Sequence, residues 1–369
     1  MVDHSARTER LDAYLAATGY DAVWFARPNA FAWLTGGSNV VDREDSVGVA
    51  AAGYVADPPD ELSRFRAVAP VGEAARIAAE ELPDAFDLAA VPWHTPLGEA
   101  VAERSPEAAA ADFDGPGLDK IDPGPLRQPL SEADIEHYRQ LGEETAAAVE
   151  RVCRELSPED TEHEVASALR ITLSSGTIEA PVVRVAGSER AGRYRAPPAG
   201  GAELGDYAVV SVTSARGGLH ASLSRTVAFD PPMELRERFR AAARVQATAL
   251  AATHSAVEST GDAGEVFEAI RDAYTAVGHP DEWQAGDQGG AAGFARREWL
   301  AGPETTPPVT APMGYAWNPT IGSVRSEDTY LVAADDGLEC LTATPNWPTR
   351  TVSAVGFDRE IERHTMLER

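Results

Sequence analysis

The chain has 369 residues, 43% of them hydrophobic, which is enough for two ordinary domains and far from the compositions of disordered, collagenous or disulfide-scaffold proteins. Its 32 basic and 59 acidic residues give a net charge of −27, which counts against unassisted nucleic-acid binding. No apolar run reaches the roughly eighteen residues of a membrane span, and the polar start MVDHSARTER lacks a secretory core, so a cytoplasmic protein without membrane contact is expected.

From the start of the chain, SARTERLDAYLAATG predicts a helix with Ser5 as its N-cap, Leu11, Tyr14 and Leu15 on one face, and Gly19 as its stop. The strands DAVWFA and SVGVAAAG follow, so residues 1–122 read as a small α/β domain. Residues 114–130 concentrate Pro and Gly and break every periodic pattern, placing a linker at 123–130 and a second domain at 131–369. That domain opens on a long helix. Ser131 and Asp134 resemble a capping box, and Ile135, Tyr138, Leu141, Val149 and Val152 form an apolar stripe. Ser157-Pro158 suit the cap of a second helix ending at Gly176.

Strands at APVVRVAG, DYAVVSV and LHASLSRTV come next. Between the last two, Gly217-Gly218 marks a hairpin turn. Long helices are expected at about 232–257 and 263–277, and LVAADDGLECLT predicts a hairpin turning at Asp336-Gly337. The two cysteines, Cys153 and Cys340, lie far apart and form no C-x-x-C pair, so both read as buried thiols.

Across residues 130–350 the phrases LSEADIEHYR, SPEDTEHEVASAL, GDYAVVSV, GGLHASLSRTVAF, GYAWNPTI, SEDTYLV and GLECLT recur in an order that resembles the pita-bread family of methionine aminopeptidase, aminopeptidase P, prolidase and creatinase. The resemblance implies an α+β pita-bread domain preceded by a creatinase-type α/β domain. Metallopeptidases of this family hold two divalent metals on two Asp, one His and two Glu. Hard oxygen ligands bridge the ions, and the metals activate a water. By resemblance those five positions are Ser211, Ser222, Gly290, Asn318 and Glu327 here, with Arg225-Thr226 completing the hairpin signature. Only Glu327 is a carboxylate, and Asp287 is the nearest other acid to the missing histidine. Hydroxyl and amide groups are weak substitutes for bridging carboxylates, so no metal and no other cofactor is expected. Creatinase, the metal-free relative, relies on a histidine upstream of the hairpin; no histidine lies between His163 and His220 here.

The remaining pocket candidates are His220, as an acid, base or strand-turn imidazole, and Arg297, as a carboxylate clamp or an internally paired arginine. Glu327 reads as a lone carboxylate or as the partner of Arg225 or Arg297. Ser211 and Ser222 lie on no G-x-S-x-G elbow and have no visible His-Asp relay, which disfavours a nucleophilic serine. Trp283 and Trp317 read as core. Together these residues suggest a homodimeric, catalytically silent relative that binds a peptide, a carboxylate-bearing small molecule or a protein partner. The alternative is an active hydrolase with a rebuilt metal site or creatinase-like chemistry.

Lys120 is the only lysine, and with the acidic excess this pattern suggests a haloarchaeal protein. At about 1 M salt the screening length falls to about 3 Å and surface self-repulsion largely vanishes. The thermal midpoint is therefore expected to rise strongly from about 0.1 to about 3 M KCl; a flat or falling midpoint would contradict a halophilic surface.

Overall fold

A computed structural model describes residues 4–42, 44–58, 62–333 and 337–369. The chain divides into two compact units, Met1–Asp134 and Ile135–Arg369.

The first unit is α/β. It carries α1 (His4–Thr18), β1 (Ala22–Phe25), α2 (Pro28–Thr35), β2 (Ala51–Val55), β3 (Phe65–Pro70), α3 (Val71–Arg76), β4 (Phe86–Val91), α4 (Leu97–Ala102), β5 (Ala109–Ala111) and β6 (Leu118–Lys120). Its strands form one mixed sheet in the order β4-β3-β2-β1-β5-β6. Ser5 lies inside α1 instead of capping it. Gly19 stops that helix as expected, with a positive φ of 79° and its N–H on the carbonyl of Leu15. The Pro- and Gly-rich segment 123–130 belongs with this unit, and its 3-10 turn Gly124–Arg127 buries Leu126 and Arg127.

The long helix α5 (Glu132–Arg154) starts at the boundary with the predicted reciprocal bonds, Ser131 N–H to Asp134 and Asp134 N–H to Ser131 Oγ. In the second unit α6 (Glu162–Ser175) is capped by Thr161 in a capping box with Glu164, not by Ser157. Ser157 instead gives its N–H to Asp160 in a separate turn, which leaves the next hydroxyl to open the helix. Then follow β7 (Glu179–Gly187), α7 (Ser188–Ala191), β8 (Tyr207–Arg216), β9 (Leu219–Ala228), α8 (Met233–Ser259) and α9 (Ala263–Ala276). The remaining strands are β10 (Gly289–Ala292), β11 (Met313–Trp317), β12 (Thr320–Ile321), β13 (Val324–Arg325), β14 (Asp328–Val332), β15 (Leu338–Cys340), β16 (Thr349–Ser353), β17 (Glu360–His364) and β18 (Leu367–Glu368). Of the expected turn between β14 and β15, Asp336 lies outside the described residues, and the two strands pair antiparallel from Val332 and Leu338. Two four-stranded sheets, β18-β9-β8-β7 and β10-β11-β14-β15, make this unit α+β. No helix among the described residues is long and apolar enough to cross a membrane.

The β8–β9 hairpin positions everything that follows. Gly217 and Gly218 both take positive φ, 58° and 81°, as a tight two-residue turn requires. Register pairs Ser211 with Ser224, Thr213 with Ser222, Val212 with Leu223 and Val210 with Arg225. Because side chains alternate along a strand, the hydroxyl-bearing residues share one face, while Val210, Val212, Leu223 and Arg225 share the other.

On that second face Asp328 is fully buried between two arginines and a histidine. Arg225 Nη2 lies 2.9 Å from Oδ1, Arg363 Nη2 donates to Oδ2 at 2.7 Å, and His364 Nδ1 sits 3.0 Å from Oδ2. Thr344 N–H donates to His364 Nε2 at 3.0 Å, which leaves the proton on Nδ1 for Asp328. Burial alone would raise Asp328, but Arg225, His364 and Arg363 outweigh it and hold the carboxyl well below its usual range. A depressed carboxyl pKa stabilises the fold above the unfolded-state value near about 4, and that stabilisation is lost as pH falls below it. Asp328→Asn is therefore expected to cost about 3 kcal/mol or more at neutral pH and to flatten the acid limb of stability, read from urea midpoints between about pH 3 and pH 7. An unchanged acid limb would dissociate Asp328 from acid stability.

Candidate functional site

The hydroxyl face of the hairpin is where the family resemblance places the metal. Ser211 Oγ and Ser224 Oγ are 2.7 Å apart, Thr213 Oγ1 and Ser222 Oγ are 2.9 Å apart, and all four residues are buried. Ser222 N–H donates to Thr329 Oγ1 at 2.8 Å, and that hydroxyl returns a bond to Ser222 O at 3.0 Å. Ser224 Oγ donates to Glu327 Oε2 at 2.8 Å. A hydroxyl both gives and accepts, so such a ladder satisfies itself with no external ion.

Glu327 is 5% exposed. Arg297 Nη2 donates to its Oε1 at 3.3 Å, and Arg325 Nη1 lies 3.7 Å from Oε2. Burial draws Arg297 below its ordinary guanidinium value, against the pull of Glu327. Of the two partners considered for Glu327, the structure thus supplies Arg297. Arg225 belongs to the opposite face, with Asp328, the Thr342 carbonyl and Thr344, and does not line a pocket with Glu327. Three residues separate it from Ser222, an odd step that turns its side chain away.

Asn318 is buried and donates to Asp287 at 3.3 Å, while Asp287 itself is exposed. Gly290 pairs with Ala316 in β10, where an added Cβ would lie 2.1 Å from the Trp299 carbonyl oxygen; the backbone leaves no room for a side chain. His220 is partly buried opposite Ala215, its N–H on the Gly293 carbonyl and its own carbonyl accepting from Tyr138 Oη at 2.6 Å. Trp317 is fully buried, and Trp283 packs edge-on against Phe267.

These donors do not fit a pair of divalent metals. Among the five inherited positions one carboxylate is present, and guanidinium groups already neutralise it. A second group, Asp328, Cys340 and His364, has ligand atoms within 4.8 Å of one another, yet Asp328 is held by two arginines. Burial pushes the Cys340 thiol up to about 12, against the thiolate a metal would need.

Beside Ser211 a small groove is lined by Arg184, Arg195, Pro197, Ser323 and Arg325. Arg195 pairs with Glu282 at 2.5 Å and donates to the Thr320 carbonyl at 2.7 Å, whereas Arg184 reaches only the Ala196 carbonyl, at 3.3 Å. Sequence reasoning missed these three arginines. Arg195 lies in RYRAPP, inside the histidine-free stretch between His163 and His220, and that arginine-rich segment is the available signal.

Residues 136–297 match the model of metallopeptidase family M24. No curated protein sequence matches the chain. Among solved structures, the prolidase from Pyrococcus furiosus superposes with a TM-score of 0.71 at 17% identity, covering 90% of this chain and 99% of that one. The X-Pro aminopeptidase from Thermotoga maritima gives 0.68 at 15%, covering 92% and 98%. The N-terminal domain of FACT complex subunit SPT16 from chickpea gives 0.67 at 11%, covering 94% and 98%. The architecture is that of Xaa-Pro peptidase-like proteins. The chain shares the pita-bread fold of these structures.

The Arg297–Glu327 pair is buried, so breaking it strands a charge. Arg297→Ala and Glu327→Gln are each expected to cost about 3–5 kcal/mol, and the double variant less than the sum, in urea denaturation. Additive losses under about 1 kcal/mol would mean that the pair is solvated and open to substrate.

Proposed function

We propose that this protein binds a carboxylate-bearing small molecule or a short peptide in the inherited cleft and is not a dimetal hydrolase. The observation that carries the reading is the charge arrangement. The five positions a dimetal centre would use supply one carboxylate, and it is already paired with Arg297 and close to Arg325. The adjoining groove at Ser211 presents Arg184, Arg195 and Arg325. A guanidinium fork offers a carboxylate two parallel N–H donors, an interaction that strengthens where water is excluded. Arg184 has no carboxylate partner among the described residues, so it is the guanidinium most available to a ligand. Ser211 and Ser323 add neutral donors that would orient the anion.

Elemental analysis of protein purified without chelator is expected to find no stoichiometric Mn, Co, Zn or Fe. Dipeptides, proline-containing peptides and guanidino acids, screened by thermal shift and calorimetry, are expected to give hits that weaken roughly tenfold or more in Arg184→Ala and Arg325→Ala. Two metals per chain, or product released from any of these compounds, would overturn the proposal in favour of an active hydrolase.

A further inference from the structure

We infer a second anion site in the same unit, in a cavity between the first turns of α8, the β16–β17 hairpin and β18. Its wall carries Arg236 and Arg240 from α8, Arg350 from β16 and Arg363 from β17, against the single carboxylate of Glu368. Four arginines around one cavity are conspicuous in a chain with a net charge of −27.

Two of the four are accounted for internally. Arg236 forms a two-pronged pair with Glu368, and Arg363 is held by Asp328, Gln246 and Tyr330. Arg240 and Arg350 have no ion-pair partner among the described residues. Arg350 also stands directly opposite Arg363 in the antiparallel register, and like charges so placed repel. Arg363 is 2% exposed, and its Nε has no hydrogen-bond partner although its other two nitrogens are bonded. A buried donor left without a partner is costly unless something supplies an acceptor.

An oxyanion answers all three observations. It offsets the two unpaired guanidiniums, screens Arg350 from Arg363, and offers oxygen acceptors to a cavity whose arginines bring only donors. The cavity, about 70 Å3, has room for a few waters or for one compact anionic group. Phe239, Ala243, Val352 and Met366 also line it, so the ligand fits best as a phosphoryl or multiply carboxylated small molecule with a short apolar body. The site is independent of the Ser211 groove and shares no lining residue with it.

Isothermal titration of the full chain with pyrophosphate and, separately, with citrate tests this, at constant ionic strength and with chloride as the balancing anion. One site per chain is expected for at least one probe, and the probe preferred identifies a phosphoryl or a carboxylate ligand. Arg240→Gln and Arg350→Gln change exposed side chains that hold no partner, so folding is expected to be retained, and each should weaken the binding at least tenfold. Arg184→Ala and Arg325→Ala should leave it unchanged, which separates this site from the proposed cleft ligand. Binding of neither probe, or binding unaltered in the Arg240→Gln/Arg350→Gln double variant, overturns the inference.

Discussion

One buried carboxylate organises the second half of this molecule. Asp328 gathers Arg225 from β9 and Arg363 and His364 from β17, and it accepts from Thr342 at 2.8 Å. Each of these elements is distant in sequence, so the ion cluster is a non-local tie. Removing water from four charged or polar groups costs several kcal/mol per ion, which good geometry and complete hydrogen bonding must offset. Here Arg225 also donates to the Ser224 and Thr342 carbonyls and to Thr344, and Arg363 to Gln246 and Tyr330. The cluster therefore holds β9 of one sheet against β14 of the other, and that placement decides which side chains meet on the other face.

Glu327 and Asp328 are adjacent in sequence and face opposite ways. Asp328 looks into the cluster, while Glu327 meets Ser224, Arg297 and Arg325. The backbone pins them together, since Ser224 N–H donates to the Glu327 carbonyl at 3.0 Å. Both carboxylates of this turn are thus neutralised by arginine. Serine and threonine on β8 and β9 then bond one another, Glu327 and Thr329, and the hairpin can bury its polar face without an ion. The same economy explains why four hydroxyl residues are tolerated in the middle of paired strands.

Much of this was legible in the sequence because its signals are local. Gly217-Gly218 has the conformational freedom that a tight hairpin needs, and the apolar stripes of α5, α8 and α9 declare helices that pack on one side. The reciprocal pair Ser131 and Asp134 fixed the start of α5. The start of α6 was misplaced because Ser157-Pro158 and Thr161 both carry cap chemistry, and only the bond from Ser157 to Asp160 decides between them. The site was less legible. Alternation along β9 already set Arg225 on the face opposite Ser222, but its partner Asp328 lies a hundred residues on. Arg184, Arg195 and Arg325 come from three separate segments, and nothing in their spacing announces a common groove.

The glycine at 290 bears on how such a molecule can change over time. With the Trp299 carbonyl 2.1 Å from where a Cβ would stand, any side chain there requires the segment around Trp299 to move first. An aspartate at 222 alone would bury a negative charge among the hydroxyls of Thr213 and Thr329, and the hydroxyl ladder would lose a rung. Each single step toward a dimetal centre is therefore unfavourable before the last step brings any gain. An arrangement of this kind behaves as a ratchet: building metal chemistry here would demand several coordinated replacements at once.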